Sequence, residues 1–157
     1  MSILRFLMFL SLIVWVGGII FFVVVAGVAF SVLPSAHLAG LVVRQSLIIL
    51  HWMGIVSGML FLASSMFYNG LANGAAHVFA ARHVLICLML ILTLISQFGI
   101  IPRMDTLRAA AGDIASLPAD NAIRMQFDFL HLWSTRAESG VLILGLLAAY
   151  LTSRPSA

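Results

Sequence analysis

The sequence predicts an all-α integral membrane protein: a four-helix bundle in which helices three and four run past the bilayer as an αα-hairpin. Three observations carry this. Hydrophobic residues fill 63% of the 157 positions and charged residues 8%, with a mean hydropathy of +1.17 and no lysine. A soluble domain carries about 25% charged residues. Four apolar runs lie near residues 4–32, 41–66, 83–101 and 127–151, each close to the ~20 residues that cross a hydrocarbon core as a helix. They are continuous, not divided into the alternating ~10-residue strands of an outer-membrane barrel. The length fits one domain over 1–157.

The first run follows only one basic residue, Arg5. It is about twice as long as the ~7–15-residue apolar core of a secretory signal, so it reads as a retained helix. Leu33-Pro34 ends it, and Ser35 can cap a second helix beginning at Ala36. The turn-rich stretch from Tyr68-Asn69-Gly70 to Asn73-Gly74 predicts the next break. Helix three then starts between Ala76 and Arg82 and reaches Ile101-Pro102. Arg103 to Ala111 keeps helical composition until Gly112-Asp113 interrupts it. Ser116-Leu117-Pro118 offers a cap and an early helical proline. A helix from Pro118 to Leu151 would be about 50 Å long at ~1.5 Å per residue, beyond the ~30 Å hydrocarbon core. The hairpin over 102–126 follows, with Arg103, Arg108 and Arg124 balanced by Asp105, Asp113 and Asp120.

The formal charge of +3 comes from arginines spread along the chain. No cluster forms a nucleic-acid patch or a polybasic lipid-binding segment. Arg5, Arg82, Arg154 and the amino group on one side nearly match Arg44, Arg103, Arg108 and Arg124 on the other, so the positive-inside rule gives no orientation. The single Cys87 allows no intrachain disulfide.

On helix four, Arg124, Asp128, His131, Thr135 and Glu138 recur every three or four residues and share one face. Ionisable groups at membrane depth are costly and turn toward a bundle interior or water. Helix direction extends the row. Helix two enters from the hairpin side with Arg44 and Gln45, then His51, and helix three leaves there through Gln97 and Arg103. The polar residues thus gather in one half of the bilayer, and the other half is nearly all Leu, Ile, Val, Phe and Ala. Three readings fit: side chains that pair only to fix packing, a polar cavity for a ligand, ion or proton, and His51 with His131 as ligands of haem or a metal.

Elsewhere, His37 and His77 read as loop residues, and His83 as core or interfacial. The eight methionines are scattered, as core filler is. Gly54 and Gly58 form a GxxxG that permits close helix approach within or between chains. Trp15, Trp52 and Trp133 suit interfaces or helix contacts.

Trp15-Val-Gly-Gly18 with Phe21-Phe22, then Leu33-Pro34 and Ala39-Gly40-Leu-Val, resembles the front half of the Transmembrane protein 205-like family, also called domain of unknown function 4149. Ile101-Pro102-Arg103-Met104 and Phe127-x-x-Leu130-His131-x-x-Ser134 resemble its back half. The resemblance implies a four-helix membrane protein with a polar site near Pro102-Arg103 and His131-Ser134, and supplies no biochemical activity. Where the family tends to carry Asn, this chain has Glu138, a carboxylate able to pair with Arg136 or Arg103. A looser likeness to copper-resistance D-like and protoporphyrinogen-oxidase-type bundles implies copper or haem, although helix one here has no His.

The combined expectation is a bacterial inner (plasma) membrane protein whose polar pocket has a binding or transport-type role. Its members are Arg44, His51, Gln97, Arg103, Asp128, His131, Ser134 and Glu138. No nucleophile–base–orienter set marks it as an enzyme. The alternatives are an accessory subunit of a larger membrane complex, such as an electron-transfer one, contacting partners through Gly54/Gly58 or the 102–126 hairpin, and a haem- or copper-binding protein using His51 and His131.

Overall fold

A computed structural model describes residues 2–73 and 81–153; His77 and Arg154 lie outside them. Four long helices make up almost all of it: α1 (Ser2–Val32), α2 (Ala36–Asn73), α3 (Ala81–Ala111) and α4 (Ala122–Ser153). No strand occurs among the described residues. α1, α2 and α3 are long and apolar enough to cross a membrane. α4 is not among them, because Arg124, Asp128, Arg136 and Glu138 crowd its first half. Three of the four helices expected as spans are thus long and apolar enough to cross a membrane by length and composition.

Neighbours in sequence pack as neighbours in space, and α4 closes back onto both α1 and α3. Successive helices are antiparallel: Arg44, His51 and Ser65 on α2 meet Asp105, Gln97 and His83 on α3 in reverse order. Trp15, Phe61, Ile86, Met89 and Val141 are buried between the helices. Outward, Phe6, Ile13, Phe21, Val56 and Phe67 are each more than 60% exposed, the inverse of a surface made for water.

Close approach comes from glycine. A Cβ on Gly54 would stand 2.4 Å from Trp15 Nε1, and one on Gly58 would stand 2.8 Å from both Trp15 Cζ3 and Leu90 Cδ2. The Gly54/Gly58 face is thus filled inside the chain by the Trp15 ring and Leu90.

The connections follow local chemistry, with corrections. Ser35 Oγ accepts the Leu38 N–H at 3.2 Å, so α2 starts at Ala36 as its cap predicts. Of the break expected over Tyr68-Asn69-Gly70 to Asn73-Gly74, the first part stays helical, because Asn69 turns its side chain to Arg82 and α2 runs on to Asn73; Gly74 lies outside the described residues. Gly112, at φ +70°, ends α3 in a conformation that glycine adopts without strain. Asp113 then caps a single turn, Ile114–Ser116. α4 begins at Ala122, not Pro118, because Asn121 Oδ1 takes the Ile123 N–H at 2.9 Å.

One irregularity shapes α3. Over Ser96–Ile100 it widens to a π turn, with the Ile101 N–H bonded to the Ser96 carbonyl five residues back. Pro102 has no N–H, and its ring clashes with the carbonyl four residues earlier in a regular helix; the wider turn relieves both. Buried positions step 86, 89, 93, 96 and then 101, 104, so the extra residue is absorbed and both halves keep facing inward.

Candidate functional site

At the hairpin end the four helices part around a cavity of about 540 Å³. Such a volume is in the ~300–1,000 Å³ range of small-molecule sites. Its α4 wall carries the whole polar row, Arg124, Asp128, His131, Thr135 and Glu138, together with Ser134. The helical spacing puts them there. α2 contributes His37 and Arg44, and α3 contributes Arg108. His37 belongs to the first turn of α2, not to a loop.

At the inner end, His51 is 1% exposed and held on both sides. Its Nδ1 lies 2.8 Å from Gln97 Oε1, and its Nε2 lies 2.6 Å from Glu138 Oε1. Gln97 sits in the π turn. An oxygen atom thus faces each ring nitrogen of His51, and both nitrogens are engaged by protein groups. Such pairing is what ionisable groups need where apolar helices surround them. Glu138 borders the cavity and His51 does not, so Glu138 stands between His51 and whatever fills the space. The pairing of Glu138 with Arg136 or Arg103 expected from the sequence is not formed. Arg136 stacks over Trp133 at 5.3 Å.

Near the hairpin, Arg44 makes a two-pronged contact with Asp105, Nε to Oδ1 and Nη2 to Oδ2 at 2.5 Å each. Arg108 Nη1 is 3.7 Å from the same carboxylate, and its guanidinium lies 4.9 Å over the Phe127 ring. Arg124 donates to the Leu117 carbonyl at 2.6 Å and stands 3.9 Å from Asp128. Asp105 and Arg108 were read from sequence only as hairpin charges. Seven residues along α2 from His51 and eight along α3 from Gln97 bring Arg44 opposite Asp105, a spacing that would have flagged the pair.

Of the expected members, Arg44, Asp128, His131, Ser134 and Glu138 line the cavity. His51 and Gln97 support Glu138 from behind. Arg103 is not among them: it is exposed on the outer face, in a shallow depression with Met125, Gln126 and Phe129. The expectation of an apolar opposite half is also corrected. There Ser65 Oγ meets His83 Nε2 at 2.7 Å in the core, Arg82 donates to Asn69 Oδ1 at 2.8 Å, and Arg5 stacks 5.0 Å over Tyr68.

As axial or metal ligands, His51 and His131 do not fit. Both ring nitrogens of His51 are engaged by protein atoms, and His131 lies seven residues, about 10 Å, along α4 from Glu138. Among the described residues no group of three or more His, Cys, Asp or Glu is placed to hold a metal ion.

The model of a domain of unknown function, DUF4149, matches residues 10–113. The chain belongs to this family. The match takes in α1, α2 and α3, and with them Trp15, the Gly54/Gly58 face, His51, Gln97 and the Arg44–Asp105–Arg108 group. α4, with Glu138 and the polar row, lies beyond the matched stretch. Neither a curated protein nor a solved structure matches the chain.

Proposed function

We propose that the chain is an integral membrane four-helix bundle, one domain over 1–157, of the Transmembrane protein 205-like type and seated in a bacterial plasma membrane. Its role is to bind, and by that means to admit or pass, a small molecule in the polar cavity at the hairpin end. The observation that carries this reading is the convergence of ionisable groups from α2, α3 and α4 around a space of about 540 Å³. Groups serving packing alone would close onto one another, since a void loses contact energy for everything that lines it. Here His131, Thr135 and Asp128 stay exposed. The ends of α3 and α4 project past the bilayer as the hairpin, and its acid–base balance suits an aqueous surface.

Cysteine labelling tests the cavity. In a Cys87→Ser background, Thr135→Cys should react with a polar, membrane-impermeant maleimide in reconstituted vesicles, while Ile143→Cys, 59% exposed on the apolar outer surface, should not. Failure of Thr135→Cys to react from either side of the membrane would sink the reading.

A second reading, an accessory subunit, is favoured by one observation. Arg103 lies outside the cavity among Met125 and Phe129, which are 59% and 60% exposed in the first turns of α4. A charged group beside bare apolar side chains suits a protein contact. Purification in mild detergent tests it: retention of a stoichiometric partner that Phe129→Glu releases supports the subunit role.

A further inference from the structure

The cavity has two unlike walls. The α1 side is wholly apolar, running from Ile19 through Phe22, Val23 and Ala26 to Phe30, about 16 Å along the helix axis. At the hairpin end of the facing side sit Arg44 and Arg108. Two guanidinium groups there share one carboxylate, Asp105, which leaves one positive charge in excess. Their side chains are only 29% and 19% exposed. The lining acids do not cancel that excess at the same depth. Asp128 is 65% exposed and beside Arg124, Asp113 is exposed and takes the Ala115 N–H, and water screens such charges. Glu138 is held by His51 at the inner end of the cavity, deeper than the two guanidinium groups. The enclosed, unbalanced charge is therefore positive, and it lies where an apolar trough meets the membrane surface.

We infer that the cavity takes an anionic amphiphile, a single acyl chain ending in a phosphate or carboxylate, with the headgroup on Arg44 and Arg108 and the chain along α1. Guanidinium groups suit such headgroups because they donate to oxyanions in a fixed planar fork. Arg108 is the deciding residue: it is the less exposed of the two, the Arg44–Asp105 pair is complete without it, and its Nη2 would stand 3.7 Å from a Cβ built on Gly40 of α2. The inference rests on the cavity reading proposed above and names its ligand class.

The test titrates the purified full chain in neutral detergent with oleoyl lysophosphatidate, monoolein and inorganic phosphate, with retained ligand read by native mass spectrometry. The first probe is the second plus a phosphate, and the third lacks the chain. Lysophosphatidate should bind at least about tenfold tighter than monoolein, the minimum a hydrogen bond to a charged group is worth, and phosphate alone should not be retained. Arg108→Gln should erase most of that preference and Arg108→Lys should keep part of it. Ala26→Trp, or Val23→Trp if the first does not fold, should weaken both oleoyl ligands by filling the trough.

Equal binding of both oleoyl probes, still lost in the tryptophan variants, would overturn the anionic headgroup and leave the cavity reading standing. Inorganic phosphate bound as tightly as the lysolipid would overturn the amphiphile in favour of a free anion. Binding indifferent to the tryptophan variants would overturn the placement. No binding of any probe, together with an unreactive Thr135→Cys, would remove the cavity reading as well.

Discussion

His51 Nε2 and Glu138 Oε1 lie 2.6 Å apart across a diagonal of the fold, joining two helices that otherwise make little direct contact. Gln97 completes the arrangement from α3. Three helices are thereby tied at one level through a single imidazole ring, and the carboxylate that ties the third faces the cavity.

A double-mutant cycle on this pair should show strong coupling. Leaving a buried polar partner unsatisfied costs about 1–3 kcal/mol. His51→Ala and Glu138→Ala should each destabilise the protein by about that much, and the double variant by clearly less than their sum. Denaturant titrations in detergent, followed by circular dichroism, measure it; additive losses would mean the contact is not formed.

His131 should behave differently. It is exposed in the cavity and stacked beside Phe127, so His131→Ala should change stability by no more than about 0.5 kcal/mol. A large loss of folded protein would assign it to packing and not to the cavity.

For the Arg44–Asp105 pair, charge reversal offers rescue. Both partners are about one-third exposed, which discounts the contact to about 1 kcal/mol despite its forked geometry. Arg44→Asp and Asp105→Arg should each lower the thermal midpoint, and the two together should recover most of the loss. No recovery in the double variant would count against the pairing.

Two glycines should respond oppositely to alanine. A methyl on Gly54 would meet the Trp15 ring at 2.4 Å, and such overpacking costs about 1–3 kcal/mol. Gly17 has nothing within 4 Å of a built Cβ, so Gly17→Ala should stabilise α1 by about 0.5–1 kcal/mol. Thermal unfolding of the two variants in one detergent decides it.

Deleting one residue from the π turn should be tolerated better than deleting one nearby. In a Pro102→Ala background, which no longer needs the wider turn, removing Phe98, 61% exposed within Ser96–Ile100, returns that turn to regular helix with Asp105 still facing Arg44. Removing Leu94, 40% exposed in the preceding regular helix, rotates the two flanks against each other by about 100°. The Leu94 deletion should lose the fold and the Phe98 deletion should keep it, as judged by monodispersity after purification.

The sequence by itself determined that the chain is helical and where most of its helices run. Backbone groups among apolar side chains must satisfy one another within the segment, so each long apolar run was already a helix. The hydroxyl of Ser35 and the unhindered backbone of Gly112 marked two helix ends, because both act on the chain next to them. Local chemistry misled where a tertiary partner outbid it. Asn69, a turn former by type, is taken by Arg82 and stays in α2; at α4 the competition was between local caps, and Asn121 displaces Ser116.

Depth was legible as well. Helix direction alone put His51, Gln97 and Glu138 at comparable levels. What only the tertiary structure decided is azimuth, the way each helix is turned about its own axis. That angle is set by contacts far from the polar residues, above all by Trp15 lying against Gly54 and Gly58, and by the extra residue that Pro102 draws into α3. It gives Glu138 to His51 instead of Arg136, sends Arg103 outward, and brings Asp105 between Arg44 and Arg108. Spacing along one helix fixes which residues share a face, but only packing between helices fixes what that face meets.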